Sequence, residues 1–148
     1  MSGVDLRQAL FAPQSIAIVG QSDDAGKTTG RPLKYLRQAG YPGRIYPVNP
    51  ARDTVLGERA WPSVATLPEA PDHAYIVTPA DAAIEAVAEC GRLGVKVATL
   101  LADGFAEAGK KGAARVARLR AITLAAPTAA LIPRCLRLMT AWVRTSSR

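Results

Sequence analysis

"IAIVGQSDDAGKTTG", residues 16–30, is the stretch on which the fold turns. An apolar run ends in Gly20, and Gly26-Lys27-Thr28 follows, as in a loop that holds nucleotide phosphates. A P-loop has four residues between its first glycine and the Gly-Lys-Ser/Thr, whereas five intervene here, from Gln21 to Ala25. Such a loop aims successive backbone N–H groups at one phosphate chain, so an inserted residue re-aims them. The dinucleotide fingerprint G-x-G-x-x-G fails too, because Ser22 stands where its second glycine belongs. The stretch is built like a phosphate loop and matches neither standard spelling.

Outward from the loop, helices and strands alternate. Residues 15–20 form an apolar run without alternation, the pattern of a strand covered on both faces. Residues 31–38 have helical character, with Pro32 in the first turn and Gly40 as a C-terminal stop. A short helix over 6–11, stopped by Pro13, precedes the first strand. "RIYPVNP", residues 44–50, reads as a second strand that Pro50 ends, and residues 57–71, dotted with proline, as connection. "HAYIVTP" supplies a third strand, and 81–93 a helix with Ile84, Val87, Ala88 and Leu93 on one stripe. "VKVATLLADG" supplies a fourth strand, and 105–122 a further helix. This order predicts an α/β fold: a Rossmann-like open parallel sheet with right-handed crossovers and helices on both faces.

At 148 residues the chain has room for one domain with a workable core. Its 49% apolar and 5% aromatic content suits an α/β protein rich in small aliphatics. No apolar run reaches the roughly 18 residues of a membrane-spanning helix, and the N-terminus lacks a basic-then-apolar leader. The expectation is a cytoplasmic chain with no membrane partner. Cys90 and Cys135 have no metal-ligand spacing and are expected as reduced, partly buried thiols. The net charge of +7 is unevenly spread: residues 1–109 carry −2, and residues 110–148 carry +9 with no acidic residue. Without aromatic residues interleaved for base stacking, that block describes a tail and not a nucleic-acid surface.

Ligands of open parallel sheets sit beyond the carboxyl ends of the strands, where the strand order reverses. The four ends here are Gly20-Gln21-Ser22, Pro47-Val48-Asn49-Pro50, Val77-Thr78-Pro79 and Ala102-Asp103-Gly104-Phe105. Any one of them is explained by the need for turn residues at a strand end. Four together with a glycine loop predict a shared cleft.

At this point the sequence resembles a family. "LFAPQSIAIVGQSDDAGKTTGRPLKYLRQAGYPGRIYPVNP", then "VLGERAWPSVATLPEAPDHAYIVTP" and "LADGFAEAG", is similar to the coenzyme A-binding domain of ADP-forming acyl-CoA synthetases. More distantly it resembles the α subunit of succinyl-CoA ligase. The similarity covers about residues 6–121, with the motifs in order. It implies that CoA or acyl-CoA lies across the strand ends. Ser22, Asp23, Asp24 and Ala25 would approach the CoA phosphates, Gly20 would permit the tight turn, and Gly26 the close approach to the next helix. Pro47, Val48 and Asn49 would lie beside the adenosine end, Val77, Thr78 and Pro79 on the third contact strand, and Ala102, Asp103 and Gly104 near the pantetheine arm.

The chemistry of the ligand agrees in part. A pyrophosphate and a 3′-phosphate suit backbone donors at a helix N-terminus. Lys27 and Arg52 are the supplementary cations, with Arg31 a weaker one; each could equally be a solvated surface charge. Asp23 and Asp24 sit awkwardly in such a loop and would have to point outward. The second strand ends in Asn49-Pro50, with no acid before Asp53, whereas NAD enzymes place an acid there for the ribose hydroxyls.

Two other binding functions stay open. Asp103 after "VATLLA" has the shape of a Mg²⁺-holding segment, which with Gly26-Lys27-Thr28 would make a divergent P-loop-like ATP-binding protein. An NADP-binding Rossmann module also tolerates Asn49 at the second strand end. Catalysis by the chain itself is not expected: His73 is the one histidine, at the start of a buried strand, and no nucleophile–base set, paired carboxylates or metal cluster accompanies it. The resemblance implies a synthetase whose phosphohistidine and ATP-grasp parts lie elsewhere, so the chain is expected to bind without catalysing.

Residues 1–122 read as the CoA-binding domain, and 123–148 as an atypical basic tail outside the resemblance, as a frameshifted or truncated gene would produce. Ile132, Leu136, Met139 and Val143 follow helical spacing, with Arg134, Arg137, Arg144 and Arg148 toward another face. Such a helix would cover a bare sheet edge or pack against a second copy, giving a homodimer, in preference to lying on an anionic membrane.

Overall fold

The computed structural model describes residues 3–125, with side chains placed for 6–122. The basic tail and Cys135 lie outside the described residues. Helix α1 (Gly3–Phe11) leads into β1 (Ser15–Val19), α2 (Arg31–Gln38) and β2 (Arg44–Val48). A small hairpin follows, β3 (Thr54–Val55) and β4 (Glu58–Arg59), and then β5 (His73–Ile76), α3 (Ala80–Leu93), β6 (Val97–Leu100) and α4 (Gly109–Ala125).

Four strands make one parallel sheet in the order β2-β1-β5-β6. β1 therefore has β2 on one side and β5 on the other, and the chain reverses its direction of travel across the sheet at β1. A ligand cleft belongs at such a reversal, because the two crossovers leave in opposite directions and open a gap between them.

The strands lack alternation because both faces are covered. Ala17, Val19, Tyr46, Val48, Ala74 and Ile76 pack with Ala83, Ile84, Val87 and Cys90 of α3 and Leu119 of α4. Their neighbours Ile18, Ile45 and Val77 pack with Leu33 of α2 and with Val55 and Ala60 around the hairpin. Ile18, Ile76, Ile84 and Leu33 are fully buried, each such side chain contributing about 1.5–3 kcal/mol. The expected Rossmann-like architecture, helices on both faces of a parallel sheet, is the one observed.

Local differences from the sequence reading have physical causes. The strands stop at Val19, Val48, Ile76 and Leu100, before the glycine and proline turns that the apolar runs continue into. α4 starts at Gly109 and not at 105, because Ala106–Ala108 form a 3₁₀ turn. The segment read as connection contains the hairpin, and Trp61 after it forms a parallel bridge with Val48, which extends the sheet beyond β2.

Candidate functional site

Gly20 turns the chain out of β1 with φ +92, while its N–H still donates to Val48 O at 2.9 Å. A β-carbon here would lie 2.7 Å from Thr78 Cγ2 and 3.3 Å from Thr78 N. The carboxyl ends of β1 and β5 thus meet backbone to backbone at the reversal point. Thr78 Oγ1 is buried beside this contact and has no hydrogen-bond partner among the described residues. From the other flank, Asn49 Nδ2 donates to Gln21 O at 3.0 Å, and Asn49 Oδ1 accepts from Ala51 N at 2.8 Å. Gly20 thus meets Thr78 on one flank, and Asn49 reaches the residue after Gly20 from the other.

The loop is closed at its neck by a residue that the sequence reading passed over. The Gln21 side chain is 0% exposed. Its Nε2 donates to Ser22 O at 2.8 Å and Gly30 O at 3.0 Å, and its Oε1 accepts from Leu33 N at 3.3 Å. The tight loop-to-helix approach falls at Gly30, not at Gly26. A β-carbon at Gly30 would lie 1.9 Å from Asp24 O, whereas one at Gly26 would come only within 3.2 Å of Asp24 Oδ1.

Several loop amides are spent inside the loop. Ser22 N donates to Thr29 O, Asp24 N to Ser22 Oγ, Gly26 N to Asp24 Oδ1 and Lys27 N to Asp24 O. The two acids are accounted for. Asp23 turns away from the loop to accept Leu56 N at 2.8 Å and to pair with Arg52 at 3.1 Å. Asp24 folds back on the loop itself. Lys27 is 68% exposed, with Asp24 at 4.0 Å, and Arg31 Nη2 donates to Gly26 O at 3.2 Å. The engagement of Gly26 N and Lys27 N differs from a P-loop, which aims those amides at phosphate.

The remaining predicted positions divide into three kinds. Pro47, Val48 and Val77 are buried in the core, so only their backbone can meet a ligand. Pro79 and Asp103 are exposed, and Ala102 is half-buried. Gly104 belongs to a braced corner: Glu107 Oε1 accepts both Gly104 N and Phe105 N, and Arg115 Nη1 donates to Gly104 O at 3.0 Å. Arg115 also holds Asp81, in the first turn of α3, through two bonds of 2.8 and 2.6 Å. One guanidinium thereby ties the β6 end to the start of α3. The carboxyls of Glu107 and Asp81 are held below the usual carboxylate range, the first by backbone N–H groups and the second by the Arg115 hydrogen bond. Gln21, Gly30 and Arg115 were missed because each acts through a partner several residues or more away; a buried-type position occupied by glutamine directly after an apolar strand was the available signal for Gln21.

His73 stands at the opposite edge. It opens β5 at the amino end of the sheet, and its Nε2 lies 2.9 Å from Thr99 Oγ1. Burial lowers its pKa. Cys90 is a free, buried thiol pushed up to about 12, mainly by burial. Among the described residues no three metal-ligating side chains gather, and no helix is long and apolar enough to cross a membrane.

A parallel sheet with a glycine loop at its reversal point, set against the neighbouring strand end, defines a Rossmann-like α/β domain. The chain belongs more particularly to the family described as CoA binding domain, which residues 14–141 match. That match runs past residue 122 into the basic tail. Among curated proteins, the chain is 42% identical over 109 residues to "Acetate--CoA ligase [ADP-forming] II" of Archaeoglobus fulgidus, covering 74% of this chain and 16% of that one. It is 38% identical over 109 residues to "Acetate--CoA ligase [ADP-forming] I subunit alpha" of Pyrococcus furiosus, covering 71% of this chain and 24% of the relative. The chain therefore spans a quarter or less of either relative. Among solved structures, the apo form of "dinucleotide forming Acetyl-coenzyme A synthetase 1" from Ca. Korarchaeum cryptofilum superposes with a TM-score of 0.72 at 34% identity, covering 78% of this chain and 25% of that chain.

Proposed function

We propose that the chain is a CoA- or acyl-CoA-binding module of an ADP-forming acyl-CoA synthetase and does not catalyse by itself. The observation that carries this reading is the meeting of Gly20 with Thr78 at the reversal point, flanked by Asn49, in a chain of the CoA binding domain family. The reading assigns the pyrophosphate to loop amides not spent internally, among them those of Ala25, Thr28 and Thr29, and to the Lys27 ammonium. Arg52, held beside the loop by Asp23, receives the 3′-phosphate. The pantetheine arm runs along Thr78 toward Ala102 and Gly104. The absence of catalysis is supported by His73, which sits at the amino edge of the sheet and not at the strand ends.

Calorimetry with CoA, dephospho-CoA, ATP with Mg²⁺ and NADP in parallel tests the proposal. CoA binding tighter than the other three is the expected result. Binding of ATP with Mg²⁺ and not CoA would replace this reading with a P-loop-like one, and binding of NADP alone with a nicotinamide module.

A further inference from the structure

Among the described residues, Gln21 is the one fully buried polar side chain at the carboxyl edge of the sheet, and its carboxamide is fully engaged with the loop and the helix that follows. Its amide group spans the loop's two ends, Ser22 O and Gly30 O. Its carbonyl oxygen accepts the N–H of Leu33 in the first turn of α2. That turn needs a cap from elsewhere: Gly30 stands at the N-cap without a side chain, and Pro32 has no N–H to offer. Arg31 N already donates to Lys27 O at 3.1 Å. The start of α2 is therefore closed to a phosphate, and the loop must receive it.

We propose that Gln21 is a positioning residue for the CoA site, a role that rests on the function proposed above. Its carboxamide fixes the neck of the 22–30 loop and caps α2 from twelve residues away, so the loop holds its phosphate-receiving shape before the ligand arrives. Pre-organisation of this kind raises affinity by removing the ordering cost from the binding step. Gln21 itself touches no ligand.

The test compares wild type with Gln21→Met, which keeps the volume and removes all three bonds, and with Gln21→Glu. Calorimetry with CoA is run at a temperature where circular dichroism shows each chain folded, alongside amide hydrogen exchange over residues 22–30. The expected result for Gln21→Met is CoA affinity lowered by about tenfold or more, with faster exchange in the loop and unchanged exchange in β1 and β5. Gln21→Glu keeps the acceptor for Leu33 N and regains a donor only when protonated, so its affinity relative to wild type should recover as pH falls. A purely structural residue would not produce that recovery. Wild type binding CoA while folded Gln21→Met binds equally well, or keeps loop protection, overturns the role alone. Wild type failing to bind CoA overturns the function and this role with it. Should Gln21→Met not fold, Gln21→Glu decides: affinity relative to wild type that stays flat with pH overturns the role.

Discussion

Gly20 and Thr78 meet across the β1–β5 boundary with no room for a β-carbon between them, the nearest approach to Thr78 Cγ2 being 2.7 Å. Gly20 also holds φ +92, a conformation that residues with side chains take only at a cost. Two independent penalties therefore fall on one position. Gly20→Ala should lower unfolding stability by about 1–2 kcal/mol from backbone conformation alone, with overlap at Thr78 adding to it. Chemical denaturation checks this, and an unchanged midpoint would mean that β1 and β5 do not approach as described.

Gly30 constrains the loop in a different way. Its obstacle is the Asp24 backbone: a β-carbon added to Gly30 would lie 1.9 Å from the carbonyl oxygen and 2.6 Å from the carbonyl carbon. Backbone cannot swing aside as a side chain can, so Gly30→Ala must displace the loop, at a cost on the order of 1–3 kcal/mol. Gly26→Ala meets only the tip of Asp24 at 3.2 Å and should be mild. Measured side by side, Gly30→Ala should weaken CoA binding by about tenfold or more while Gly26→Ala stays within about threefold of wild type. The reverse ranking would place the tight approach at Gly26, as the sequence suggests.

The contrast between those two glycines shows which parts of the molecule are legible in the sequence. β1, β2, β5 and β6 announce themselves because sheets covered on both faces need apolar residues at successive positions, as in 15–19 and 44–48. The parallel sheet itself follows from the alternation of strands and helices. The β3–β4 hairpin leaves no pattern, since strands of two residues are too short for one, and its turn puts Leu56 at φ +48, a conformation leucine seldom adopts. Within the site, the glycine-rich loop can be read from residue types. The reach of Gln21 to Leu33, or of Asp23 to Leu56, cannot, because those contacts exist only once α2 and the hairpin have docked. Pro47, Val48 and Val77 illustrate the converse: an apolar residue at a strand end looks the same whether it lines a cleft or fills the core.

Acid stability should fall in two separate windows. Burial lowers the pKa of His73 in the folded chain below its ordinary value, so the native state favours neutral imidazole. Stability from this group is complete above about 6.5, the unfolded value, and is lost as pH falls through the lower folded value. For Asp72, burial pushes its carboxyl up, but hydrogen bonds from Lys96 and the Gln14 N–H outweigh it and leave it low; Glu69 is held low by Arg44 and Tyr46. The stability these carboxylates give is complete above their unfolded values, about 4, and is lost as pH falls through the lower folded ones. Thermal melts from about pH 7.5 to about 3 should show a first decline starting near 6.5 and a second in stronger acid. His73→Gln, which can still bond Thr99, should lose the first decline and keep the second. A first decline that survives the substitution would belong to another group.

Arg52 offers the sharpest division between stability and binding. Its partner Asp23 lies 3.1 Å away, but the two side chains are 58% and 42% exposed, and exposed pairs contribute about 0–1 kcal/mol. Arg52→Ala should therefore leave the unfolding midpoint nearly unchanged. Its effect on ligand is expected to depend on the 3′-phosphate, since a charge-assisted hydrogen bond contributes about 1.5–3 kcal/mol, or roughly tenfold or more in affinity. Calorimetry of wild type and Arg52→Ala with both CoA and dephospho-CoA separates the two contributions. Removing Arg52 also exposes the loop to the unneutralised charge of Asp23, which weakens both ligands alike; the 3′-phosphate contact is the additional loss that CoA alone suffers. Equal losses for the two ligands would leave Arg52 as a counter-charge to Asp23 and remove it from the recognition of the 3′-phosphate.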